Sequence, residues 1–247
     1  MKKLVIFDLD GTLLNTIADL AHSTNYALNK LGYPTHEIEK YNFMVGNGID
    51  KLFERALPEE EKSKENVLRV RKEFVPYYDI HNADDSCPYP GIPELLSYLQ
   101  DAGVQIAVAS NKYQAATQKL VDHYFPEIHF TAVLGQREEV KVKPDPIIVS
   151  DILEVAKVAK EEVLYVGDSG VDMQTAANAG VTACGVTWGF RPRTELEEFN
   201  PSYIADTAGE IKKLILFFFI ITYNVKVLIS PMTFLSKIIY FKLLPLS

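Results

Sequence analysis

Two carboxylates stand at the end of a short apolar run near the start of the chain. Asp8 and Asp10 follow the run at residues 4–7, within the sequence Asp-Leu-Asp-Gly-Thr at residues 8–12. At this spacing one side chain and one backbone carbonyl can face the same point. Together with a third acid, Asp168, they would form an oxygen-rich site of the kind that Mg²⁺ prefers, in which phosphate oxygens complete the ligand set. These residues therefore predict a magnesium site that also binds phosphate.

The same group of side chains suits the transfer of a phosphoryl group. A bound cation neutralises a phosphate enough for a carboxylate to approach it. One carboxylate can then act as the nucleophile and form an aspartyl-phosphate, which divides one difficult step into two easier ones. A second acid can protonate the departing alcohol and later activate water. Lys143 and the Ser110 hydroxyl can stabilise the charge on the transferring phosphoryl oxygens.

The elements that position these residues are predicted by five short apolar runs. The runs are rich in β-branched residues, which predicts strands buried on both faces, as in a parallel sheet. They lie at residues 4–7, 104–109, 132–134, 163–166 and 183–186. Helical stretches between them lie at residues 92–102, 114–123, 146–159 and 172–179. This alternation predicts an α/β fold with a doubly wound, Rossmann-like parallel sheet.

Polar clusters follow three of the predicted strands. They lie at residues 8–12, 110–112 and 167–172, and a further cluster at residues 141–145 precedes a helix. In doubly wound folds the carboxyl ends of the strands form the ligand crevice. We therefore expect the four clusters to meet in space.

A helical insertion interrupts the alternation of strands and helices. Helical periodicity at residues 17–31, 49–56 and 59–78 has no comparable strand beside it. We predict three parts: a sheet-containing core at residues 1–15 and 84–216, a helical domain at residues 16–83, and an atypical apolar tail at residues 217–247.

The clusters and their order resemble the four motifs of the haloacid dehalogenase-like hydrolases. The resemblance covers residues 1–216 and rests on Asp-Leu-Asp-Gly-Thr, Ser-Asn-Lys, Lys-Pro and Gly-Asp-Ser-x-x-Asp. It implies that the helical insertion is that superfamily's α-helical cap. Within the superfamily, residues 13–16, 45–50 and 187–190 look most like phosphoglycolate phosphatases. The resemblance thus implies an enzyme, a phosphoric monoester hydrolase with Mg²⁺ as its cofactor.

The resemblance also implies roles for individual residues. Asp8 matches the nucleophile, which binds Mg²⁺ as well, and Asp10 matches the general acid/base, whose carbonyl contributes to the metal site. Asp168 matches the third metal ligand. Asp172 is expected to lie next to these metal ligands and hold them in position without contacting the metal. The phosphate- and substrate-binding positions are expected at Thr12, Ser110, Asn111, Lys143 and Asn47.

Two further segments have open interpretations. The Gly46-Asn47-Gly48 turn is either a plain loop between cap helices or a recognition loop that closes over the site with Asn47 facing the substrate. Arg191 and Arg193 would suit a substrate carboxylate, but we interpret them as part of a solvated turn. Asn15 stands where many relatives have Asp, at the expected hinge of the cap, which bears on substrate fit rather than on the chemistry.

Composition narrows the classes of partner. The net charge is −8, and the last 34 residues contain three lysines and no acid, so the preceding residues carry −11. Such an acidic body argues against nucleic-acid binding, which depends on Lys and Arg. Two distant cysteines argue against a disulfide framework, and the N-terminus lacks the apolar length of a secretory signal. We expect a cytoplasmic monomer or homodimer whose partner is a small phosphorylated metabolite, with membrane association not expected.

The segment at residues 217–247 is apolar and aromatic with scattered lysines. Three interpretations are open. The segment packs against the rest of the protein, or it inserts weakly into a membrane. Alternatively, it results from translation past a lost stop codon or a frameshift through AT-rich DNA. We favour the last interpretation, because the resemblance ends near Leu216.

The sequence alone leaves more than one function open. We predict a Mg²⁺-dependent phosphatase that acts through an aspartyl-phosphate, with 2-phosphoglycolate as the best candidate substrate. A phosphosugar mutase or a pyrophosphatase of the same superfamily would use similar residues. A non-catalytic regulator that binds phosphometabolites is a more distant alternative, because a mere binder needs no second carboxylate at position 10.

Overall fold

The protein is built around a six-stranded parallel sheet. The structure is a computed structural model that describes residues 2–216. In chain order the strands of this part are β1 (Leu4–Phe7), β2 (Leu14–Asn15), β3 (Cys87–Pro88), β4 (Gln105–Tyr113), β5 (Ala132–Gln136), β6 (Val163–Gly167), β7 (Thr182–Val186) and β8 (Tyr203–Ala205). The order across the sheet is β5-β4-β1-β6-β7-β8, and β2 and β3 form a separate antiparallel ribbon.

Helices cover both faces of the sheet and also form the insertion. They are α1 (Ile17–Lys30), α2 (Ile49–Ala56), α3 (Lys64–His81), α4 (Ile92–Asp101), α5 (Gln114–Tyr124), α6 (Ile147–Ala156), α7 (Gly170–Ala179) and α8 (Arg193–Glu198). Short 3-10 helices lie at Ile38–Phe43, Glu59–Glu61 and Lys160–Glu162, and residues 208–216 are helical. The predicted α/β fold with a doubly wound parallel sheet is confirmed.

The central strand shows why its sequence is apolar throughout. Along β1, Val5 and Phe7 pack into one apolar cluster with α4, α5 and residues 208–216. Leu4 and Ile6 point to the other face and pack with α6 and α7. Because successive side chains of a strand point to opposite faces, a strand covered on both sides needs apolar residues at every position.

Two details of the sheet differ from the sequence prediction. Strand β4 continues to Tyr113, so the cluster at residues 110–112 lies within the strand, where the pairing with β5 shifts register between Ala109 and Tyr113. Strand β8 was not predicted, because its three residues are too short to give a periodic signal.

The insertion has its own apolar core. Residues of α1, α2 and α3 and of the 3-10 helix Ile38–Phe43 form this cluster, which includes the buried aromatic residues Tyr41, Phe53, Phe74 and Tyr78. Helix α3 begins at Lys64, later than the predicted residue 59, because Ser63 accepts a hydrogen bond from the Asn66 backbone N–H at 3.1 Å and caps the helix there.

Asp19 ties the insertion to the chain segment that returns to the sheet. Its buried carboxylate accepts hydrogen bonds from the backbone N–H groups of Asp85 and Ser86, both at 2.9 Å, and from the Ser86 hydroxyl at 2.6 Å.

The division into a core and a cap at residues 15/16 and 83/84 stays a prediction. The apolar tail predicted at residues 217–247 lies outside the described residues. Within residues 2–216, no helix has both the length and the apolar character needed to cross a bilayer.

Candidate active site

The predicted clusters meet at the carboxyl edge of three adjacent strands. Asp8 and Asp10 follow β1, Ser110 lies in β4, and Asp168 follows β6. Because β4 and β6 flank β1 on its two sides, these residues converge on one point. The expectation drawn from the parallel sheet therefore holds for these positions.

Lys143 lies at the centre of this group. Its buried ammonium contacts Asp8 Oδ1 at 3.0 Å and Asp172 Oδ1 at 2.8 Å, and it donates to the Ala109 carbonyl at 2.9 Å. Burial lowers the pKa of Lys143, but the carboxylates of Asp172 and Asp8 outweigh that effect and raise the pKa well above its ordinary value. A permanent positive charge is therefore fixed beside the Asp8 carboxylate.

Asp172 holds Lys143 in place from beneath the site. Its carboxylate is fully buried and also accepts hydrogen bonds from the backbone N–H of Ser169 at 3.1 Å, the Ser169 hydroxyl at 2.6 Å and the Tyr165 hydroxyl at 3.2 Å. The bond from the Ser169 backbone N–H is one half of a capping box at the start of α7, in which the Asp172 backbone N–H also donates to the Ser169 side chain. Asp172 thus lies beside Lys143, and its expected role in supporting the metal ligands stays a prediction.

Asp168 is held between two segments that are far apart in sequence. The Thr12 hydroxyl donates to its Oδ1 at 3.2 Å, and the Phe190 backbone N–H donates to its Oδ2 at 2.7 Å. Gly11 and Gly189 approach so closely that a Cβ on either would lie 2.3 and 2.2 Å from atoms of Asp168. The position of this carboxylate is therefore fixed by both hydrogen bonds and close packing.

The electrostatics of the site indicate a place for a cation. Asp8, Asp168 and Asp172 are buried and bring oxygen atoms within 4.8 Å of one another. Burial raises the pKa of Asp8 well above its ordinary value, against the opposing effect of Lys143, and burial together with Asp172 raises the pKa of Asp168 to about 7. One ammonium does not balance three such carboxylates, and hard oxygen donors are what a divalent cation such as Mg²⁺ binds.

Asp10 has two partners that the sequence did not reveal. Its Oδ1 accepts a hydrogen bond from the Thr16 hydroxyl at 2.7 Å, and its Oδ2 lies 3.1 Å from the ammonium of Lys112. Lys112 in turn donates to the Tyr78 hydroxyl of α3 at 2.7 Å. Lys112 stood in the predicted Ser-Asn-Lys cluster without a role. Tyr78 had no sequence signal, because a buried aromatic residue at helical spacing is an ordinary core residue.

Ser110 and Asn111 take different places in β4. Ser110 lines the cavity, and its hydroxyl accepts a hydrogen bond from the Lys112 backbone N–H at 3.2 Å. The Asn111 amide donates to the carbonyls of Gly46 at 2.9 Å and Lys143 at 3.1 Å, and its oxygen accepts from the Lys143 backbone N–H at 2.8 Å. Asn111 thus links the insertion to the segment that carries Lys143.

Two predicted binding residues lie away from the cavity in this structure. Thr12 is fully buried and its hydroxyl is engaged by Asp168. Asn47 turns its side chain to Arg55, whose Nη2 donates to the Asn47 Oδ1 at 2.6 Å. The structure therefore does not bring Thr12 or Asn47 into contact with the cavity, and their predicted roles in binding phosphate or substrate stay predictions.

The insertion forms the roof of the cavity. The roof residues are apolar and come from α1, α2 and the loop before α2: they are Leu20, Val45, Ile49 and Leu52. The floor is polar and is lined by Asp8, Asp10, Ser110, Asn111, Lys112, Asp168 and Ser169. A small polar group entering here would be surrounded on one side by charged side chains and on the other by apolar ones, away from bulk water.

Arg191 fastens the roof to the sheet-containing core. Its guanidinium donates to the carbonyls of Asn42 and Val45 in the insertion, the latter at 2.9 Å, and it lies over the ring of Phe43. The Arg191 side chain is only 10% exposed, so the interpretation as part of a solvated turn is wrong for this residue. Arg193 is half-exposed and pairs with Glu197 and Asp206, as expected of a surface residue.

Comparison with known proteins identifies the family. Residues 5–186 match the sequence profile of the haloacid dehalogenase-like hydrolases. The chain belongs to the haloacid dehalogenase-like hydrolase family.

Several relatives of known name match most of the chain. A protein of Vibrio parahaemolyticus named phosphoglycolate phosphatase is 33% identical over 218 residues, which is 86% of this chain and 96% of the relative. A crystal structure from Lactobacillus delbrueckii subsp. bulgaricus, described as a candidate phosphoglycolate phosphatase, has a TM-score of 0.82 at 34% identity and covers 87% of this chain and 99% of its own. A predicted phosphoglycolate phosphatase from Haemophilus somnus has a TM-score of 0.80 at 30% identity, with coverage of 87% and 98%.

These matches confirm the resemblance drawn from the sequence motifs. The protein is a haloacid dehalogenase-like hydrolase that is similar to phosphoglycolate phosphatases. Its buried aspartates form a group that can hold a metal ion. The roles assigned to individual site residues, and magnesium as the metal, belong to the proposal that follows.

Proposed function

We propose that this protein is a Mg²⁺-dependent phosphatase that transfers the phosphoryl group of a small phosphomonoester to Asp8 and then to water. The observation that carries the proposal is the pair formed by Asp8 and Lys143. A buried carboxylate oxygen at the floor of a roofed cavity lies 3.0 Å from a buried ammonium, and a second carboxylate, Asp10, lines the same cavity.

Asp8, Asp168 and the backbone carbonyl of Asp10 would hold the metal ion. When bound, Mg²⁺ would neutralise the carboxylates and the phosphate, so that two anionic groups can approach each other. Asp172 holds Lys143, and the Lys143 ammonium and the Ser110 hydroxyl would bind phosphoryl oxygens. The Lys143 side chain does not have to move for this purpose, because its ammonium already lies 3.0 Å from the Asp8 carboxylate.

In the first step a carboxylate oxygen of Asp8 attacks phosphorus, and the bond from phosphorus to the ester oxygen breaks. The leaving oxygen takes a proton from the Asp10 carboxyl group and departs as an alcohol. In the second step Asp10 removes a proton from water, and the water oxygen attacks phosphorus. The bond from phosphorus to Asp8 breaks, which restores the Asp8 carboxylate and releases inorganic phosphate.

The apolar roof supports hydrolysis of a small substrate. Leu20, Ile49 and Leu52 cover the cavity, so that water is limited during the first step and the electrostatic effect of the site is strengthened. Water must enter for the second step. Movement of the roof between an open and a closed position would admit substrate and water in turn.

2-Phosphoglycolate is the substrate we propose. The similar protein from Vibrio parahaemolyticus is named phosphoglycolate phosphatase, and that from Haemophilus somnus is described as a predicted phosphoglycolate phosphatase. Arg191 also lines the cavity, and its positive charge suits a substrate with a negative group besides its phosphate. The cytoplasmic location and the monomeric or homodimeric state stay predictions.

The test is phosphate release from 2-phosphoglycolate and a panel of other phosphomonoesters, measured with Mg²⁺ and with a chelator. The parent protein is compared with Asp8→Asn, which keeps the shape of the side chain and removes the nucleophile. Turnover that requires Mg²⁺ and is lost in the variant is expected. Absence of turnover on every panel member by folded protein would overturn the proposal. Isomerised sugar phosphate in place of free phosphate, with a hexose 1-phosphate as substrate, would show a mutase instead.

A further inference from the structure

We infer that Lys112 is a positioning residue for Asp10, and that Tyr78 of the insertion holds Lys112 in place, so that the roof takes part in placing the acid/base. This inference rests on the proposed function, because it concerns the acid/base of that reaction. It assigns a role to two residues outside the set predicted from the motifs.

The contact between Lys112 and Asp10 is well defined and shielded from water. The Lys112 side chain is 2% exposed and that of Asp10 is 12% exposed, with 3.1 Å between the ammonium and Oδ2. The Thr16 hydroxyl occupies the other oxygen, Oδ1, at 2.7 Å. With a partner on each oxygen, rotation of the Asp10 carboxylate is restricted.

Tyr78 determines where the Lys112 ammonium lies. Its hydroxyl accepts a hydrogen bond from Lys112 at 2.7 Å, and the ammonium lies 4.7 Å from the centre of the Tyr78 ring. Tyr78 itself is fully buried and stacks on Phe74 within the apolar core of the insertion. A displacement of α3 would therefore move the partner of Lys112 away from the sheet, to which Lys112 belongs.

These contacts place three parts of the molecule in one chain of polar groups. Asp10 comes from the loop after β1, Lys112 from β4 and Tyr78 from α3 of the insertion. A buried ammonium is costly unless it is paired and hydrogen-bonded. In the described residues the Lys112 ammonium has Asp10 and Tyr78 as its partners, and the contact with Tyr78 depends on the insertion lying over the sheet.

The consequence for the reaction is specific to the leaving group. Asp10 must donate a proton when an alcohol leaves, because an alkoxide is a poor leaving group. A carboxylate leaving group needs no proton. Misplacement of Asp10 should therefore slow cleavage of an alkyl phosphate much more than cleavage of an acyl phosphate.

The experiment compares ethyl phosphate with acetyl phosphate, which have similar size and differ in the acidity of the leaving group. The value measured is kcat/KM, because it reports the steps up to departure of the leaving group and omits hydrolysis of the aspartyl-phosphate. Lys112→Met is expected to lower kcat/KM for ethyl phosphate about 10²-fold, as small displacements of a catalytic group do. For acetyl phosphate the loss should be much smaller.

A second measurement uses 2-phosphoglycolate and the variant pair Asp10→Asn and Lys112→Met. If Lys112 acts through Asp10, the double variant loses no more activity than Asp10→Asn alone. Additive losses would overturn the inference, and so would equal losses on ethyl and acetyl phosphate. A rise in KM at unchanged kcat would overturn it as well, since that result shows a direct contact with the substrate.

Tyr78→Phe tests the role of the insertion without removing any packed ring. It should lower kcat/KM less than Lys112→Met does, and again more for ethyl phosphate than for acetyl phosphate. An equal loss on both substrates, or no loss, would contradict the role of Tyr78. Tyr77→Phe on the same helix and Lys51→Met on α2 are matched controls, because Tyr77 is half-buried and Lys51 is exposed beside Glu54. Inactivity of the parent protein on every substrate would count against the proposed function itself, whereas an active parent with uniform losses would count against Lys112 alone.

Discussion

The backbone N–H of Phe190 donates a hydrogen bond to Oδ2 of Asp168 at 2.7 Å. The next residue, Arg191, donates to carbonyl groups of the insertion. One short segment thus contacts both a carboxylate of the proposed metal site and the roof of the cavity. Loosening the roof is therefore expected to disturb the Asp168 carboxylate. A displacement of that carboxylate is likewise expected to loosen the roof.

Arg191→Met should loosen the roof. The change leaves the carbonyls of Asn42 and Val45 without their donor and removes the contact with Phe43. We expect faster amide hydrogen exchange in residues 38–48 and a higher KM for 2-phosphoglycolate, because the closed arrangement is less populated. Arg193→Met is the control, since Arg193 pairs with Glu197 and Asp206 on the surface. Equal exchange in the two variants would contradict the role of Arg191.

Gly11→Ala should disrupt the proposed metal site. Gly11 has a φ of +84°, and a Cβ at this position would lie 2.3 Å from Oδ2 of Asp168. The carboxylate must therefore move, and we expect loss of Mg²⁺-dependent turnover together with loss of stability.

Gly103→Ala is the matched control for that change. Gly103 has a φ of +69° with nothing near its added Cβ, so the variant carries the backbone strain without the collision. A cost of about 1 kcal/mol in the free energy of unfolding is expected, with turnover unchanged. If both variants keep turnover, close packing against Asp168 is not required for the site.

Magnesium should stabilise the folded protein, and Asp168→Asn should remove most of that effect. A ligand that binds only the native state at a hundredfold excess over its Kd adds about 2.7 kcal/mol to the free energy of unfolding. The rise in melting temperature on adding Mg²⁺ measures this. A variant that keeps the full rise would show that Asp168 is not a ligand.

The metal-free protein should lose stability as the pH increases toward 7. The pKa of Asp168 is raised from 3.8 to about 7 by burial and by Asp172. The folded state therefore holds this proton more tightly than the unfolded chain does, and that contribution disappears as the pH rises through about 7. Urea unfolding at several pH values in the presence of a chelator measures it. The free energy of unfolding should depend less on pH in Asp168→Asn than in the parent protein. The same slope in both proteins would contradict a raised pKa at Asp168.

The two cysteines should differ in reactivity toward thiol reagents. Cys87 is exposed, while Cys184 is buried in β7, and burial raises the pKa of its thiol to about 12. Since the thiolate is the reactive form, one thiol is expected to react in the native protein and two after unfolding. Cys87→Ser should leave no fast-reacting thiol, and rapid labelling of that variant would contradict the burial of Cys184.

Much of the sheet was accessible from sequence because its signal is local. Runs such as residues 4–7 and 163–166 are apolar at every position, and that pattern is typical of strands covered on both faces. Strand β8 and the late start of α3 were missed for local reasons too. The first is only three residues long, and the second depends on the cap formed by Ser63.

The sequence alone predicted which acids would gather at one edge of the sheet. Asp8, Asp10 and Asp168 follow parallel strands, and the carboxyl ends of such strands necessarily share one edge of the sheet. The order and spacing of the motifs then indicated the family, which the match to the family profile established.

Tertiary packing sets the partners of each side chain in the site. It joined Lys112 to Asp10 and Tyr78, turned Thr12 toward Asp168 and Asn47 toward Arg55, and placed Arg191 against the insertion. Most of these pairs join residues that are far apart in the chain. Contacts of that kind are set by how separate segments pack in three dimensions, and no periodicity within a segment encodes where its surface meets another.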